Sequence, residues 1–487
     1  MADSGKSQRL LGPFNRVEGD LEVRVEIEQD CIINAYVNSP LFRGYEQIMH
    51  GKDPRDALVY TPRICGICSV SQSVAAANAI AEAQNIQPLP NGELATNLIL
   101  AAENMADHLT HFYLFFMPDF ARDCYTGYGW FDTIRSRFKA QTGKAATEVL
   151  PARAAFLHLT GILAGKWPHS LAIQPGGTTR PIEVQERIRL ATTISAFRHF
   201  LQDVLFGCEL EQVAELNNEK TLWQWAEQHS NSDFGQFLGL CKDLNLNGLG
   251  QASDRFMSYG AYANSEQQSH LFKRGLWDES DQELDTSAIT EDISHSWLNS
   301  YSEPKHPFHG STIPDNDENS GYSWCKAPRL NSQVIEVGAL ARQMVDGHPL
   351  VRDLVASSGG NVQNRVIARL LELARVVPQM EQWVDQLQVG QAFCHSQTIP
   401  AESEGAGLVE AARGSLGHWL RVSKGRILNY QIIAPTTWNF SPRDQQSKPG
   451  ALEMALQGME LGDDASASAA IQHVIRSFDP CMVCTVH

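Results

Sequence analysis

The chain has 487 residues, with 39 Lys+Arg against 56 Asp+Glu and a net charge of −17. Charged residues make up 20% and the apolar set 43%, which excludes a mainly disordered chain and leaves ample material for a large core. The acidic balance excludes a nucleic-acid partner, which needs a basic stripe to neutralise phosphates. No apolar run approaches the roughly 18 residues of a bilayer span. No direct membrane span is therefore expected, and Met1–Leu11 is too polar for the apolar heart of a signal peptide.

In chain order, Leu21–Ile27 reads LEVRVEI, and its period of two predicts a half-buried strand. Cys31–Val37 predicts the returning partner strand, and Phe42-Arg43-Gly44 a turn. The Ala-rich stretch Ser69–Gln84 predicts a helix. Asn91–Met117 predicts a long helix, with Asn91 as its N-cap and Pro118 as its end. Thr179–Asn218 predicts another, started by Thr179 and Pro181. Residues 264–320 are acidic, polar and broken by Gly, Pro and Asn. They predict a polar surface excursion with short strands, to which Trp277, Trp297 and Phe308 give something to bury. Val362–Val389 predicts a long amphipathic helix interrupted at Pro378. The expected fold class is mainly α with small β additions (α+β). It comprises a large helical body with an N-terminal β-hairpin, and residues 1–487 form a single large domain.

Ten cysteines are too sparse for a disulfide scaffold in a chain this long. Cys31, Cys124, Cys208, Cys241, Cys325 and Cys394 stand alone, as small core residues do. The other four form two C-x-x-C pairs, Cys65/Cys68 before a predicted helix and Cys481/Cys484 near the last residue, His487. Two thiols so spaced can point at one ion, and a helix start lowers a thiol's pKa. Four thiolates suit zinc, nickel, iron or an iron–sulfur cluster. A zinc ribbon sets its pairs about 15–20 residues apart. Here 412 residues lie between them, so a shared site would bury a cofactor at the heart of the fold. Spacing leaves the metal open.

Arg63-Ile-Cys65-Gly-Ile-Cys68 near the start and Asp479-Pro480-Cys481-Met-Val-Cys484-Thr-Val-His487 at the end together resemble the large subunit of nickel–iron hydrogenases. The likeness extends to Arg16-Val-Glu18-Gly19, Phe42-Arg43-Gly44-Tyr45-Glu46, Lys326-Ala-Pro-Arg329, Arg413-Gly414 with Gly417-His418-Trp419, and Pro435-Thr-Thr-Trp438-Asn439. The resemblance implies a nickel–iron centre. Cys65, Cys68, Cys481 and Cys484 would hold nickel. Cys68 and Cys484 would also bridge to an iron carrying carbon monoxide and cyanide, and Cys65 and Cys481 would be terminal. Heterolysis of H2 needs a Lewis acid and a nearby base. Cys481 would be that base, and Glu18 the first proton relay. Arg413 would overhang the open metal position and contact a cyanide, accompanied by Asp107 and Asp479. Thr436, beside Pro435, would donate to another cyanide. Glu46, His487 and a backbone carbonyl near Ile432 would bind a magnesium (or iron) near the C-terminus.

Two positions depart from the common family pattern. Gln72 stands where that pattern has His, and its amide can hydrogen-bond a bridging sulfur but cannot titrate. Ala412 replaces the Pro before Arg413, loosening one wall of the gas pocket. The text CGICSVSQS is similar to the branch containing cytoplasmic hydrogen sensors and some uptake enzymes. The end at His487 matches either a matured chain or a sensor that never had a tail. With four cysteines assigned to nickel, no cluster of them remains for an electron relay. Iron–sulfur clusters are therefore expected only in a partner small subunit. The leading expectation is a regulatory H2 sensor, cytoplasmic and signalling to a histidine kinase. The alternative is a respiratory uptake hydrogenase, membrane-associated through its partners. The remote alternative is a zinc-stapled structural subunit.

Overall fold

The computed structural model describes residues 6–299, 303–315, 321–461 and 464–485. The N-terminal hairpin is part of a three-stranded antiparallel sheet, β1 (Lys6–Leu11), β2 (Glu22–Glu28) and β3 (Cys31–Asn38), in that order. Val23, Val25 and Ile27 of β2 are buried, as their alternation predicts. Gln29 and Asp30 both take left-handed backbone (φ 50° and 59°), the turn that matches a twisted two-residue hairpin. β1 is an addition. Its side chains are almost all exposed, so polarity left no trace of it, and backbone pairing from Lys6↔Glu28 to Leu11↔Val23 holds it.

Helix α1 spans Ser69–Gln84, as its sequence predicts, and nearly every side chain is buried. α2 covers Pro90–Thr110, with Pro90 at its first position and Leu89, not Asn91, as the cap. Asn91 instead clasps the backbone of Gln388, donating to its oxygen at 2.7 Å and accepting from its N–H at 3.0 Å. After Thr110 the coil widens into a π-turn over His111–Phe116 and then tightens into a 3₁₀ turn, Met117–Ala121, that contains Pro118.

The next predicted helix starts later and is shorter. α3 is Val184–Phe200, capped at Glu183, whose N–H donates to Glu186, so Thr179 and Pro181 lie outside it. Past a π-turn the chain reverses at Gly207 (φ 71°) before a separate helix, Leu210–Ala214.

An antiparallel sheet follows, made of β4 (Phe256–Asn264), β5 (Ser269–Asp278) and β6 (Ser280–Gln282). β7 (Ile289–Asp292) pairs with β8 (Ala327–Leu330). Within residues 264–320, Ile289, Glu291, Asp292 and Leu298 are buried. Trp297 meets Trp324 edge-on at 5.4 Å, and the Arg352 guanidinium lies 4.4 Å over Trp277.

Helix α4 is Ala339–Asp346, and α5 is Val362–Gln386, begun by Asn361 accepting the Asn364 N–H at 2.9 Å. The expected interruption at Pro378 is absent, and α5 runs through it. Proline removes one N–H from the ladder, but the buried stripe Val376, Val377, Met380 and Trp383 keeps the helix seated. The last sheet is β9 (Ser403–Ala411), β10 (Gly414–Ser423) and β11 (Arg426–Ile433). β9 lies so close to α1 that a Cβ on Gly407 would sit 1.8 Å from the Ala75 carbonyl oxygen, and only glycine fits there. α6 (Asp464–Ser477) leads into the final cysteine pair. One apolar core includes residues from Leu21 to Cys484. Among the described residues no helix is long and apolar enough to cross a membrane. Of the lone cysteines, Cys241 and Cys325 are buried, while Cys31, Cys124, Cys208 and Cys394 are only half-buried and so are not the core residues expected.

His473, on α6, is buried, bonded to the Tyr125 hydroxyl at 2.7 Å and stacked on Phe120. Burial pushes its pKa from 6.5 down to about 4, so the ring is neutral in the fold. Between those values the unfolded chain binds the extra proton. The stability tied to this group is whole above about pH 6.5 and drains as pH falls, by ~1.4 kcal/mol per pH unit. Denaturation at pH 7 and pH 5 should show the parent losing about 2 kcal/mol more than His473→Phe. Equal losses would contradict this.

Candidate metal centre

Two loops that are distant in sequence meet behind α1. The Cys65–Cys68 loop enters α1, and the Cys481–Cys484 loop leaves α6. The sulfurs of Cys65 and Cys481 are 3.5 Å apart, those of Cys68 and Cys484 3.2 Å, and those of Cys481 and Cys484 3.1 Å. All four are buried, and all four sulfurs lie within 4.8 Å of one another. The four thiols share charge unevenly. Bonds from Cys481, Cys484 and Cys68 hold the Cys65 thiol well below its ordinary value, while contact with the other thiols pushes Cys68 and Cys481 well above theirs. Four thiolates this close would repel one another in a dry site, which is why neighbouring thiols keep their protons, and a soft cation would remove that repulsion. The donor set therefore fits a thiolate-bound metal.

The loops are stapled from the N-terminal side. Glu18 pairs with Cys481 in a parallel bridge, its carbonyl accepting the Met482 N–H at 2.7 Å. Gly19 (φ 82°) follows, where a Cβ would meet Val483 at 3.0 Å. Arg43 donates to the carbonyl of Ile64 and, at 2.7 Å, to that of Val483, tying one cysteine loop to the other. The Cys481 N–H donates to Thr436 Oγ1 at 3.1 Å, which leaves that hydroxyl hydrogen to donate elsewhere. Pro435 opens the short helix Pro435–Asn439 that carries Thr436. The Glu18 carboxyl is half-buried, and burial, reinforced by the Cys65 thiolate, pushes its pKa up.

Arg413 is buried between two carboxylates. It grips Asp107 through both terminal nitrogens, donates to Asp479 Oδ1 at 3.1 Å, and gives its Nε–H to the Asp479 carbonyl at 2.9 Å. Asp479 can offer both groups because its backbone is left-handed (φ 59°). Burial pushes Asp107 up to about 7 against the pull of Arg413. Burial opposes ionisation of Asp479 as well, but Arg413 and His111 hold its pKa down.

Arg369, which sequence reasoning missed, donates to the Ser477 carbonyl at 2.6 Å, and burial lowers its pKa to about 10 against the pull of Asp479. Arg342 was missed too. It holds the carbonyls of Ala411 and Ala412, just before Arg413, and is itself gripped by Glu372 and Glu410. Gln72 is buried, and its carbonyl oxygen accepts from His418 Nε2 at 2.8 Å, so its amide nitrogen faces the other way without a protein partner. His418 is in turn bonded to the Tyr430 hydroxyl at 2.8 Å.

The second expected metal site is described only in part, because His487 lies outside the described residues. Glu46 is buried and accepts the Ile432 N–H at 2.7 Å and the Lys326 ammonium at 3.1 Å. Lys326 also meets Glu291 at 2.6 Å and Gln431 at 3.1 Å. Two carboxylates against one ammonium leave a negative balance of hard oxygen donors, which suits a hard cation.

The sequence pattern of the nickel-dependent hydrogenase family matches residues 43–123 and 146–487, which takes in both cysteine pairs. The chain belongs to that family. Membership implies a nickel–iron centre, and the four clustered thiols fit the nickel. The periplasmic [NiFeSe] hydrogenase large subunit of Desulfomicrobium baculatum is 28% identical over 521 residues, covering 100% of this chain and 96% of that one. The uptake hydrogenase large subunit of Afipia carboxidovorans is 26% identical over 593 residues, with the same coverage. The solved Ni-Fe-Se hydrogenase of D. vulgaris Hildenborough superposes with a TM-score of 0.83 at 28% identity, over 99% of this chain and 100% of that one. The mainly helical fold with small sheets is thus the hydrogenase large-subunit fold. The sensor expectation gains no support from these relatives, which are named as periplasmic and uptake hydrogenases.

Proposed function

We propose that this hydrogenase chain is the catalytic large subunit of an uptake enzyme, converting H2 to two protons and two electrons. The observation that carries this reading is the meeting of Cys65, Cys68, Cys481 and Cys484 in one buried cluster, with Arg413 and Glu18 beside it. The uptake role is favoured by the relatives named for it, and a histidine-kinase partner is not part of the proposal. When bound, the nickel–iron centre, with carbon monoxide and cyanide on iron, supplies the Lewis acid that H2 heterolysis requires.

The chain's own part is to hold ligands and move protons. Cys481 Sγ takes the first proton. Its backbone partner Glu18 takes the proton onward, since a carboxyl beside the thiolate is a titrating group that can accept and release it. Arg413, fixed by Asp107 and Asp479, keeps a guanidinium beside the cysteine cluster and would donate to a cyanide, as Thr436 would to another. Glu46, a backbone carbonyl near Ile432 and His487 would hold a magnesium (or iron), and Lys326 already bonds the Glu46 carboxylate. The described residues show no second cysteine cluster, so the electrons pass to a small subunit bearing iron–sulfur clusters. Any membrane attachment comes through partners, and residues 1–487 are read as one folding unit.

H2-dependent dye reduction by the purified two-subunit complex tests this reading. An uptake enzyme should turn over in the ordinary range of about 1–10³ s⁻¹. Much slower turnover with full nickel would favour a sensor.

Gln72 offers a finer test. His418 holds its oxygen and leaves its buried amide nitrogen as the donor turned away from that bond. Gln72→His should keep nickel content and change the H2 oxidation rate or the oxygen response about tenfold, the scale of such indirect bonds to a metal. Unchanged behaviour in both would reduce Gln72 to packing.

A further inference from the structure

Helix α1 is capped from outside. Cys68 is the residue before its first turn, where a side chain ordinarily accepts the N–H of the second or third helical residue. The Cys68 sulfur accepts neither, because its backbone (φ −110°, ψ 33°) is not the extended form of a self-capping residue. Both N–H groups go instead to Glu103 of α2. Its Oε2 accepts from Val70 at 2.8 Å and its Oε1 from Ser71 at 2.9 Å. The Ser71 hydroxyl at 2.9 Å, the Ser69 hydroxyl at 3.5 Å and the Trp167 indole N–H at 3.1 Å complete the shell. Glu103 is 2% exposed, and its donors come from two segments: the first turn of α1 (Ser69, Val70 and Ser71) and the turn that carries Trp167. An unbonded N–H pair at a buried helix start must find another acceptor. The nearest route is for Cys68 to turn into the capping conformation, which draws its sulfur out of the cluster.

We infer that Glu103 is a positioning residue of the metal centre: it caps α1 in place of Cys68 and so leaves the Cys68 sulfur free for metal. This rests on Cys68 being a metal ligand. A second consequence concerns charge density. N–H donors that would otherwise reach the thiolate are diverted to a carboxylate, so the sulfur keeps its electrons for the metal, and the metal's other ligands report it.

The test uses the native two-subunit complex with Glu103→Gln, whose amide keeps one acceptor and opposes the other N–H with an NH2 group. Nickel retention against a chelator should fall about tenfold or more. The infrared bands of the iron's carbon monoxide and cyanide ligands should shift in the fraction that stays loaded. Trp167→Phe removes one donor to Glu103 and keeps both backbone bonds. It should leave nickel in place and shift the same bands by a smaller amount. Glu453→Gln serves as a buried-carboxylate control remote in role. It caps another helix start through the Gly450 N–H at 3.1 Å and should lower stability without moving the bands. Parental nickel retention and unshifted bands in Glu103→Gln would overturn the inference. If that variant does not fold, unshifted bands in Trp167→Phe overturn it. Cys68→Ser separates the two layers: nickel retained there contradicts the ligand reading itself, while nickel lost there with Glu103→Gln unaffected contradicts only the positioning role.

Discussion

Cys481→Ser should abolish H2 turnover and nickel retention together. Cys481 is buried in contact with Cys65 and Cys484, so its sulfur is a corner of the cluster rather than a lining residue. A hydroxyl is a poor donor to a soft metal and stays protonated near neutral pH, so one thiolate charge and the adjacent base vanish in the same substitution. Structural zinc in four-ligand zinc-finger sites binds with about 10–16 kcal/mol, which sets the scale here. Losing one ligand in four removes about 3 kcal/mol, which is roughly a 150-fold loss of affinity before any catalytic effect. Metal analysis of the purified complex, beside its H2-dependent dye reduction, checks both halves. A serine variant with full nickel and near-parental activity would sink the four-thiolate assignment.

Glu18→Gln should leave the metal centre intact and block proton exit. Glu18 is tied to the centre by its backbone, through the bridge to Cys481 and the Met482 N–H. Its side chain can therefore be altered without cutting the staple. The amide keeps shape and hydrogen bonding and loses only the titrating group. General acid–base groups contribute about 10²–10⁴-fold, and the rate of isotope exchange between H2 and water should fall on that scale with nickel unchanged. Exchange at the parental rate would place the relay elsewhere, with Arg413 and its raised partner Asp107 the next groups in line.

Much of the frame was legible because local pattern and tertiary burial agree. β2 alternates because one face is buried, and α1 is Ala-rich because β9 lies against one side of it and the cysteine loop begins it. The paired cysteines were legible as a shared site because no local module could use their separation.

What was not legible depends on contacts between distant segments. β1 is an exposed edge strand, so only its backbone is specified. α5 tolerates Pro378 because neighbouring helices bury the rest of its face, and α2 begins at Pro90 because Asn91 is committed to Gln388. Glu103 looks like a solvated helix carboxylate until α1 is placed beside it. Arg342, Arg369 and Lys326 look like surface cations until their carboxylates arrive from elsewhere in the chain. The sensor expectation leaned on the CGICSVSQS text, Gln72 within it, and on the end at His487. The structure places Gln72 in a hydrogen-bonded chain from Tyr430 through His418, a contact between segments about 346 residues apart that no local pattern shows.

The most direct measurement of the central claim is the isotopic product distribution when the purified two-subunit complex is held under D2 in ordinary water. Heterolysis at a cluster with an adjoining base and relay returns one atom to solvent at a time, so HD should appear first and H2 after it. The signal should scale with nickel content and vanish in Cys481→Ser. A nickel-loaded complex that leaves D2 unexchanged, or a chain that carries zinc in the four-cysteine cluster and no nickel, would contradict the account.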